Sequence, residues 1–199
     1  MNKLIKVFFE VARRVEIDAV IIGGLALPAY KVARSTLDID ISINIDTQKK
    51  LRKLVENLKK RGIKTLQNPK LNHDLFTIFG KGSEAEIWLK PCDSFSWDRK
   101  MSKRITNFKE NVKVLAVEDF LLTKLARSDR SSTDINDIVQ ILIANANNID
   151  WNYLYFRLDW GHVKQDFEVL IDELSSKVGA PYEQVINKIV RSYEASKKS

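Results

Sequence analysis

The sequence predicts an α/β core followed by an all-helical region, and three observations support this fold class. Residues 37–45 alternate apolar and polar side chains over nine positions, as a half-buried strand does. Before them, the apolar run Ala19–Ile22 ends at Gly23-Gly24, the pattern of a buried strand that breaks into a turn. Toward the C terminus the apolar side chains recur at helical spacing. We therefore expect two domains, a core with a mixed sheet over residues 1–116 and a helical region over residues 117–199.

The alternating segment has two chemically different faces. Side chains two residues apart on a strand point to the same side. Leu37, Ile39 and the isoleucines that follow would therefore face the core, whereas Asp38 and Asp40 would share the opposite face. The strand would present two carboxylates together.

The remaining elements follow from apolar spacing and turn residues. A first helix is predicted over Asn2–Val15, and a second over Thr47–Arg61, with Thr47 as its N-cap and Gly62 as its stop. Gly80-Lys81-Gly82 would join two strands in a hairpin. The hairpin strands are Leu75–Phe79 and Glu84–Leu89, and Val112–Ala116 would add a last strand. The later helices are predicted at Val117–Ser128, Ser132–Ala146, Trp151–Trp160, His162–Lys177 and Tyr182–Ala195.

Composition excludes several classes of protein. With one cysteine, Cys92, and two histidines, His73 and His162, the chain has neither a disulfide framework nor the ligands of a Cys/His zinc site. No run reaches the roughly 18 consecutive apolar residues that span a bilayer, and charged residues interrupt the first helix. We therefore expect a cytoplasmic protein without a signal peptide or a membrane partner.

The net charge of +7 is concentrated in two basic segments. Lys49–Lys64 holds eight lysines and arginines against one glutamate, and Arg99–Lys113 holds six against one glutamate. Such patches suit a polyanion, although a run of charge is more often only a solvated face. Because the basic segment Lys49–Lys64 directly follows the strand with the two aspartates, we consider it a candidate surface for an RNA such as tRNA.

Two short motifs carry the chemistry. A Gly-Gly turn between a strand and a helix, as at Gly23-Gly24, lets backbone N–H groups approach a phosphate closely. Asp38 and Asp40, two residues apart on one strand face, supply the hard oxygen ligands that suit divalent cations in phosphoryl transfer. Each motif alone is weak, since surface strands often carry alternating aspartates.

Together and in this order, the motifs resemble the DNA polymerase beta-like nucleotidyltransferase superfamily. Its signature is a Gly-Gly or Gly-Ser turn, a short helix and a strand with Asp-x-Asp. Here the pattern is Gly-Gly-x-Ala from Gly23, followed by Arg-x-Thr-x-Asp-Ile-Asp from Arg34. The resemblance implies that Asp38 and Asp40 hold Mg²⁺ or Mn²⁺. It also implies that Gly23, Gly24, Arg34, Ser35 and Thr36 bind the nucleotide.

The superfamily adds a third carboxylate from a later strand. In this chain the resemblance points to Glu86 as a metal ligand and catalytic residue, on the side of its strand that would face Asp38 and Asp40. Glu84 lies on the same face and competes for the role.

A further run resembles the AbiEii-like abortive-infection toxins and related small nucleotidyltransferases. It comprises Lys124-Leu125-Ala126-Arg127, then Arg130, then Asp134-Ile135-Asn136-Asp137. In those families the lysine reaches the nucleotide phosphates and an acidic pair helps to orient it. This implies a catalytic and nucleotide-binding role for Lys124 and a nucleotide-binding role for Asp137, with Asp134 supporting. The alternative is that Asp134 caps a helix start and that Arg130 is its exposed partner.

These resemblances imply an enzyme that transfers a nucleoside monophosphate from an NTP to an acceptor hydroxyl and releases pyrophosphate. The acceptor would be an RNA end, a small molecule or a protein side chain, and the toxin-like version would have an antitoxin protein as partner. The alternative function is a catalytically inactive nucleotide- or RNA-binding module of the same fold. The intact Asp-x-Asp pair argues against that alternative.

Overall fold

The computed structural model describes residues 2–92, 95–177 and 179–198. Within these residues, seven strands form one mixed sheet. They are β1 (Asp18–Ile22), β2 (Asp40–Asn44), β3 (Lys64–Thr65), β4 (Leu75–Gly80), β5 (Ser83–Trp88), β6 (Thr106–Lys109) and β7 (Val112–Val114). Their spatial order is β3-β4-β5-β2-β1-β7-β6.

Helices precede, interrupt and follow the strands. They are α1 (Lys3–Arg14), α2 (Gly23–Ala26), α3 (Gln48–Lys60), α4 (Arg99–Lys103), α5 (Val117–Leu125), α6 (Ser132–Asn145), α7 (Trp151–Trp160), α8 (Lys164–Lys177) and α9 (Glu183–Ser196). The predicted fold class, a mixed α/β core with a helical C-terminal region, is confirmed.

The chain forms two compact units. The first comprises the described residues of Met1–Ala29, Arg34–Pro91 and Ser96–Ala116, and it contains the whole sheet. The second comprises those of Tyr30–Ala33, Cys92–Phe95 and Val117–Ser199. Two short segments from the first 116 residues therefore cluster with the C-terminal helices.

Strand β2 lies at the centre of the first unit. It pairs antiparallel with β1 and parallel with β5. On one face of the sheet, Ile41 and Ile43 lie beside Ala85 and Ile87, and all four are buried. Helix α1 contacts β1, β5, β7 and α3, and its N-cap Asn2 donates a hydrogen bond to Ser83 on this face. Helices α1 and α3 thus cover the apolar face.

The opposite face of the same strands is polar. Because side chains alternate between the two faces of a strand, Asp40 and Ser42 of β2 lie on this face, together with Glu86 and Trp88 of β5. The Trp97 indole N–H donates to Ser42 Oγ at 3.2 Å, so part of this face is covered by the segment before α4.

Local sequence signals specify the best-predicted elements. Thr47 caps α3 by accepting a hydrogen bond from the Lys50 backbone N–H at 3.3 Å. The turn between β4 and β5 has positive φ at Lys81 (+56°) and Gly82 (+78°), as a two-residue hairpin turn requires. The predicted helix and hairpin are both confirmed.

The prediction of a strand over Leu37–Ile45 is wrong at its start. Strand β2 begins at Asp40, and Leu37, predicted to face the core, is 96% exposed. The reason lies in the partner strand: Asp40 pairs with Ile22, the last residue of β1, and α2 begins at the next residue. Residues before Asp40 therefore have no antiparallel partner on that side.

Polar edge elements were not predicted. Strands β3 and β6 lie at the two edges of the sheet, and their sequences, Lys-Thr and Thr-Asn-Phe-Lys, lack apolar alternation. Helix α4 is five residues long and depends on the Asp98 cap, whose side chain accepts from the Met101 N–H at 2.8 Å. Elements of this kind form because a neighbouring strand or a cap is present.

The second unit is held by apolar packing and by a buried ion pair. Arg157 Nε lies 2.7 Å from Asp119 Oδ1, and both side chains are fully buried. Helices α6 to α9 start and end close to the predicted positions, whereas α5 ends at Leu125 instead of Ser128. None of the helices in the described residues is both long and apolar enough to cross a membrane.

Candidate active site

The Gly-Gly turn contacts the carboxylate of Asp40, the first residue of β2. Gly23 directly follows β1 and has φ +63°, a left-handed conformation that favours glycine. A Cβ atom at Gly23 would lie 2.2 Å from Asp40 Oδ2. The missing side chain is therefore what allows the Asp40 carboxylate to lie against the backbone of the turn.

The second glycine contacts the segment that precedes β2. A Cβ atom at Gly24 would lie 3.0 Å from Thr36 Cγ2 and 3.6 Å from Arg34 Cζ. The Thr36 hydroxyl accepts a hydrogen bond from the backbone N–H of Asp38 at 3.2 Å. The structure thus brings Gly23, Gly24, Thr36 and Arg34 together around the turn. Ser35 is exposed in the same segment.

The third predicted carboxylate lies beside Asp40. In the parallel pairing of β2 and β5, Glu86 is the direct partner of Asp40, and the Glu86 N–H donates to Ile39 O at 2.9 Å. Glu84 pairs only with Phe79 of β4 and is exposed. The register of the strands therefore favours Glu86 over Glu84 as the partner of Asp40.

Electrostatics at Glu86 reflect this crowding of carboxylates. Burial raises the pKa of Glu86, and neighbouring negative charges raise it further. In order of effect, these charges are Asp40, Asp38 and Glu84. A hydrogen bond from the Trp88 side chain lowers the pKa of Glu86 and partly offsets them.

Trp88 is the residue of this group that the sequence analysis missed. It lies two residues after Glu86 on the same strand face, and its indole Nε1–H donates to Asp40 Oδ1 at 3.4 Å. The signal that could have found it is the period of two, which places residues 84, 86 and 88 in one row.

Two carboxylates of this site, those of Asp40 and Glu86, can together bind a hard divalent cation. In the part of the chain that the structure describes, no three Asp, Glu, His or Cys side chains converge closely enough to hold a metal ion by themselves. Mg²⁺ does not require three, because it commonly takes one or two carboxylates and completes its shell with substrate phosphates and water. Asp40 and Glu86 provide that pair, and Asp38 lies just outside the strand.

The second unit holds the other predicted cluster. Lys124 Nζ lies 3.1 Å from Asp134 Oδ1 and 2.8 Å from Asp137 Oδ2, and the three side chains are 7%, 11% and 4% exposed. The structure therefore joins Lys124 to the two aspartates predicted to orient it. Its predicted contact with nucleotide phosphates stays a prediction.

Asp134 also caps helix α6. Its carboxylate accepts from the Ser131 backbone N–H at 3.1 Å, while the Ser131 hydroxyl accepts from the Asp134 N–H at 3.2 Å, which makes a capping box. Burial works to raise the pKa of Asp134, but the hydrogen bonds from Ser131 and Lys124 outweigh it and lower the pKa. Arg130 pairs with Asp166 at 3.3 Å instead of with Asp134.

Comparison with protein families decides the class of this protein. The family model described as "Nucleotidyltransferase of unknown function (DUF6036)" matches residues 2–196. The chain belongs to this family. The nucleotidyltransferase part of the predicted resemblance is confirmed, and the chain is assigned to the enzymes that transfer a nucleotidyl group.

Solved structures give more distant likenesses to this nucleotidyltransferase. The antibiotic-resistance factor ANT(2'')-Ia is 13% identical, with 98% of this chain and 93% of that chain covered and a TM-score of 0.47. An antigenic nucleotidyltransferase-like protein from Paracoccidioides brasiliensis is 21% identical, with 84% and 89% covered and a TM-score of 0.45. At these values neither likeness identifies a substrate. No curated protein matches the chain.

Proposed function

We propose that this nucleotidyltransferase transfers a nucleoside monophosphate from an NTP to an acceptor hydroxyl. The acceptor oxygen forms a bond to the α-phosphorus, the bond from that phosphorus to the β-phosphate oxygen breaks, and pyrophosphate leaves. The acceptor proton passes to a carboxylate or to water. The observation that carries the proposal is the pair Asp40 and Glu86, level on adjacent strands beside the Gly23 turn.

Asp40 and Glu86 would hold Mg²⁺ or Mn²⁺ as a pair, and Asp38, in the preceding segment, stays a predicted third ligand. When bound, the cation supplies positive charge that offsets the charge developing on the phosphate oxygens. The carboxylates themselves contribute geometry, since their strands hold them at neighbouring positions of one rigid sheet. Arg34 would add positive charge to the triphosphate near Gly24.

The glycines of the turn would receive the triphosphate. Neither residue places a side chain between the backbone and a ligand, and Gly23 begins α2 directly at the end of β1. Backbone N–H groups in such a turn suit phosphate oxygens. Thr36 and Ser35, in the segment that contacts Gly24 or lies next to it, would complete this side of the nucleotide.

The charge pattern favours a polynucleotide such as tRNA as the acceptor. Several cations on the outer side of α3 are exposed and make no ion pair with any described residue. They are Lys49, Arg52, Lys53, Lys59 and Lys60. Helix α3 has 13 residues, so it is about 20 Å long and can follow several phosphates.

The position of α3 also favours a long acceptor. The helix covers the apolar face of the sheet, opposite the face of Asp40. Strand β3, which follows α3, runs parallel to β2, so the C-terminal end of α3 lies at the same end of the sheet as Asp40. A small acceptor on α3 would not reach the carboxylates, whereas a polynucleotide can pass around the β3 edge.

Label transfer tests the proposal. The protein is incubated with each α-labelled NTP, Mg²⁺ or Mn²⁺, and total tRNA or cell lysate, beside Asp40→Asn and Asp38→Asn. We expect one or more NTPs to label a macromolecule, and Asp40→Asn to abolish the labelling because it removes a charged ligand. Nucleotide binding without any transfer would overturn the proposal in favour of an inactive binding module. The toxin-like role and the antitoxin partner stay predictions.

A further inference from the structure

Each oxygen of the Asp40 carboxylate has a defined neighbour. Oδ1 accepts from the Trp88 indole N–H at 3.4 Å. Oδ2 lies against Gly23, where an added Cβ would come within 2.2 Å of it. The carboxylate is therefore fixed between a side chain of β5 and the turn after β1.

The contact crosses the sheet diagonally. The direct partner of Trp88 on β2 is Ser42, and the direct partner of Asp40 is Glu86. The indole therefore leans back along the strands by two residues to reach Asp40. A side chain without a long rigid ring would have to bridge that offset with flexible bonds.

We propose that Trp88 is a positioning residue of the transfer reaction, and that its N–H fixes the Asp40 carboxylate in the orientation used to bind a divalent cation. This inference rests on the proposed function. An indole has one donor and no acceptor. The single N–H of Trp88, which also interacts with Glu86, can therefore hold the Asp40 carboxylate without competing for a cation. It also places a positive dipole end beside two carboxylates that repel each other.

The chain offers a matched control on the same face of the sheet. Trp97 makes the same type of contact there, from its indole N–H to Ser42 Oγ at 3.2 Å. Ser42 is fully buried and lies two residues beyond Asp40. Replacing either tryptophan removes one indole N–H from this face. The N–H of Trp88 donates to Asp40, a proposed cation ligand, and the N–H of Trp97 donates to Ser42.

The test compares Trp88→Phe with Trp97→Phe and with the natural chain. Binding of Mn²⁺ alone is measured by the loss of the free-ion signal in electron paramagnetic resonance, and label transfer is measured over a range of Mn²⁺ concentrations. We expect Trp88→Phe to weaken Mn²⁺ binding by about 10–100-fold, the usual effect of removing a group that orients a ligand. Half-maximal transfer should shift to higher Mn²⁺ by a similar factor, while Trp97→Phe changes neither.

Thermal unfolding of both variants separates positioning from folding. If Trp88→Phe does not fold, Trp88→Met, which also lacks the N–H, takes its place. Equal Mn²⁺ affinity in the natural chain and the Trp88 variant would overturn the inference, as would equal weakening in the Trp88 and Trp97 variants. Absence of label transfer in the natural chain would instead overturn the proposed function, because the Mn²⁺ measurement needs no turnover.

Discussion

The tightest approach at the Gly-Gly turn is between a backbone and a carboxylate. At Gly23 both the positive φ and the nearness of Asp40 exclude a side chain. Gly82 also has a positive φ, +78°, but no atom lies within 4 Å of its added Cβ. Substitutions at the two glycines therefore distinguish the free-energy cost of the backbone conformation from the cost of displacing Asp40.

Gly23→Ala should abolish label transfer, because the new methyl group must move Asp40 away from its position. Gly82→Ala is the control, and it should lose only about 1–2 kcal/mol of unfolding free energy through its left-handed conformation. Urea unfolding and label transfer are measured on both. Full transfer by Gly23→Ala would show that the Asp40 position does not matter.

The Lys124 cluster gives a pH-dependent stability. Because the pKa of Asp134 is lowered in the folded protein, its contribution is present above the unfolded value of about 3.9 and is lost as pH falls through the folded value. Asp134→Asn should cost about 1–3 kcal/mol at pH 7. The difference from the natural chain should shrink below about pH 4.

Urea unfolding at several pH values checks this expectation. Asp129 is a suitable control because it pairs with Arg127 at 3.0 Å but is 74% exposed. Asp129→Asn should change stability little at any pH, since solvent screens exposed pairs. A stability difference for Asp134→Asn that stayed constant down to pH 3 would contradict the proposed role of its charge.

At the scale of elements, α3 and the loop before β4 form one basic surface. The Gln48 side chain donates to Pro69 O at 3.0 Å and accepts from the Leu71 N–H at 3.1 Å, which fixes the loop to the helix. Arg52 and Lys70 line a shallow cavity of about 400 Å³ between them. The surface is thus ordered, as a binding surface for a polynucleotide should be.

Removing charge from this surface should weaken RNA binding in a salt-dependent way. In the double variant Arg52→Gln with Lys70→Gln, the negative slope of log affinity against log salt should become shallower by about 0.7 for each phosphate that is no longer neutralised. Arg191→Gln with Lys198→Gln removes the same charge from the exposed surface of the second unit. Filter binding of tRNA at several salt concentrations measures both. Equal slopes in the two double variants would mean that the α3 surface is only solvated.

Elements with local signals could be predicted from the sequence, and elements that depend on partners could not. Thr47 and the Lys81-Gly82 turn specify α3 and the hairpin through their own hydrogen bonds and backbone angles. The start of β2 depends on where β1 ends, which the alternation of Leu37–Ile45 does not contain. In the same way, the choice between Glu84 and Glu86 depends on the register of β5 against β2.

At the scale of the molecule, three central strands of the sheet position the glycine turn, the strand carboxylates and Trp88. The end of β1 supplies the glycine turn, the start of β2 supplies Asp40, and β5 supplies Glu86 and Trp88. The sequence predicted the glycines and carboxylates because their order along the chain is a family signature. It did not predict Trp88, since an indole on a strand is usually part of a core.

Paired labels test the central claim most directly. The protein and total tRNA are incubated with one NTP labelled either at the α-phosphate or at the γ-phosphate, and the labelled products are separated. Nucleotidyl transfer predicts that the α-label enters the acceptor while the γ-label leaves as pyrophosphate, and that Asp40→Asn stops both. Entry of the γ-label into the acceptor, or no release of pyrophosphate with any NTP, would contradict the proposed function.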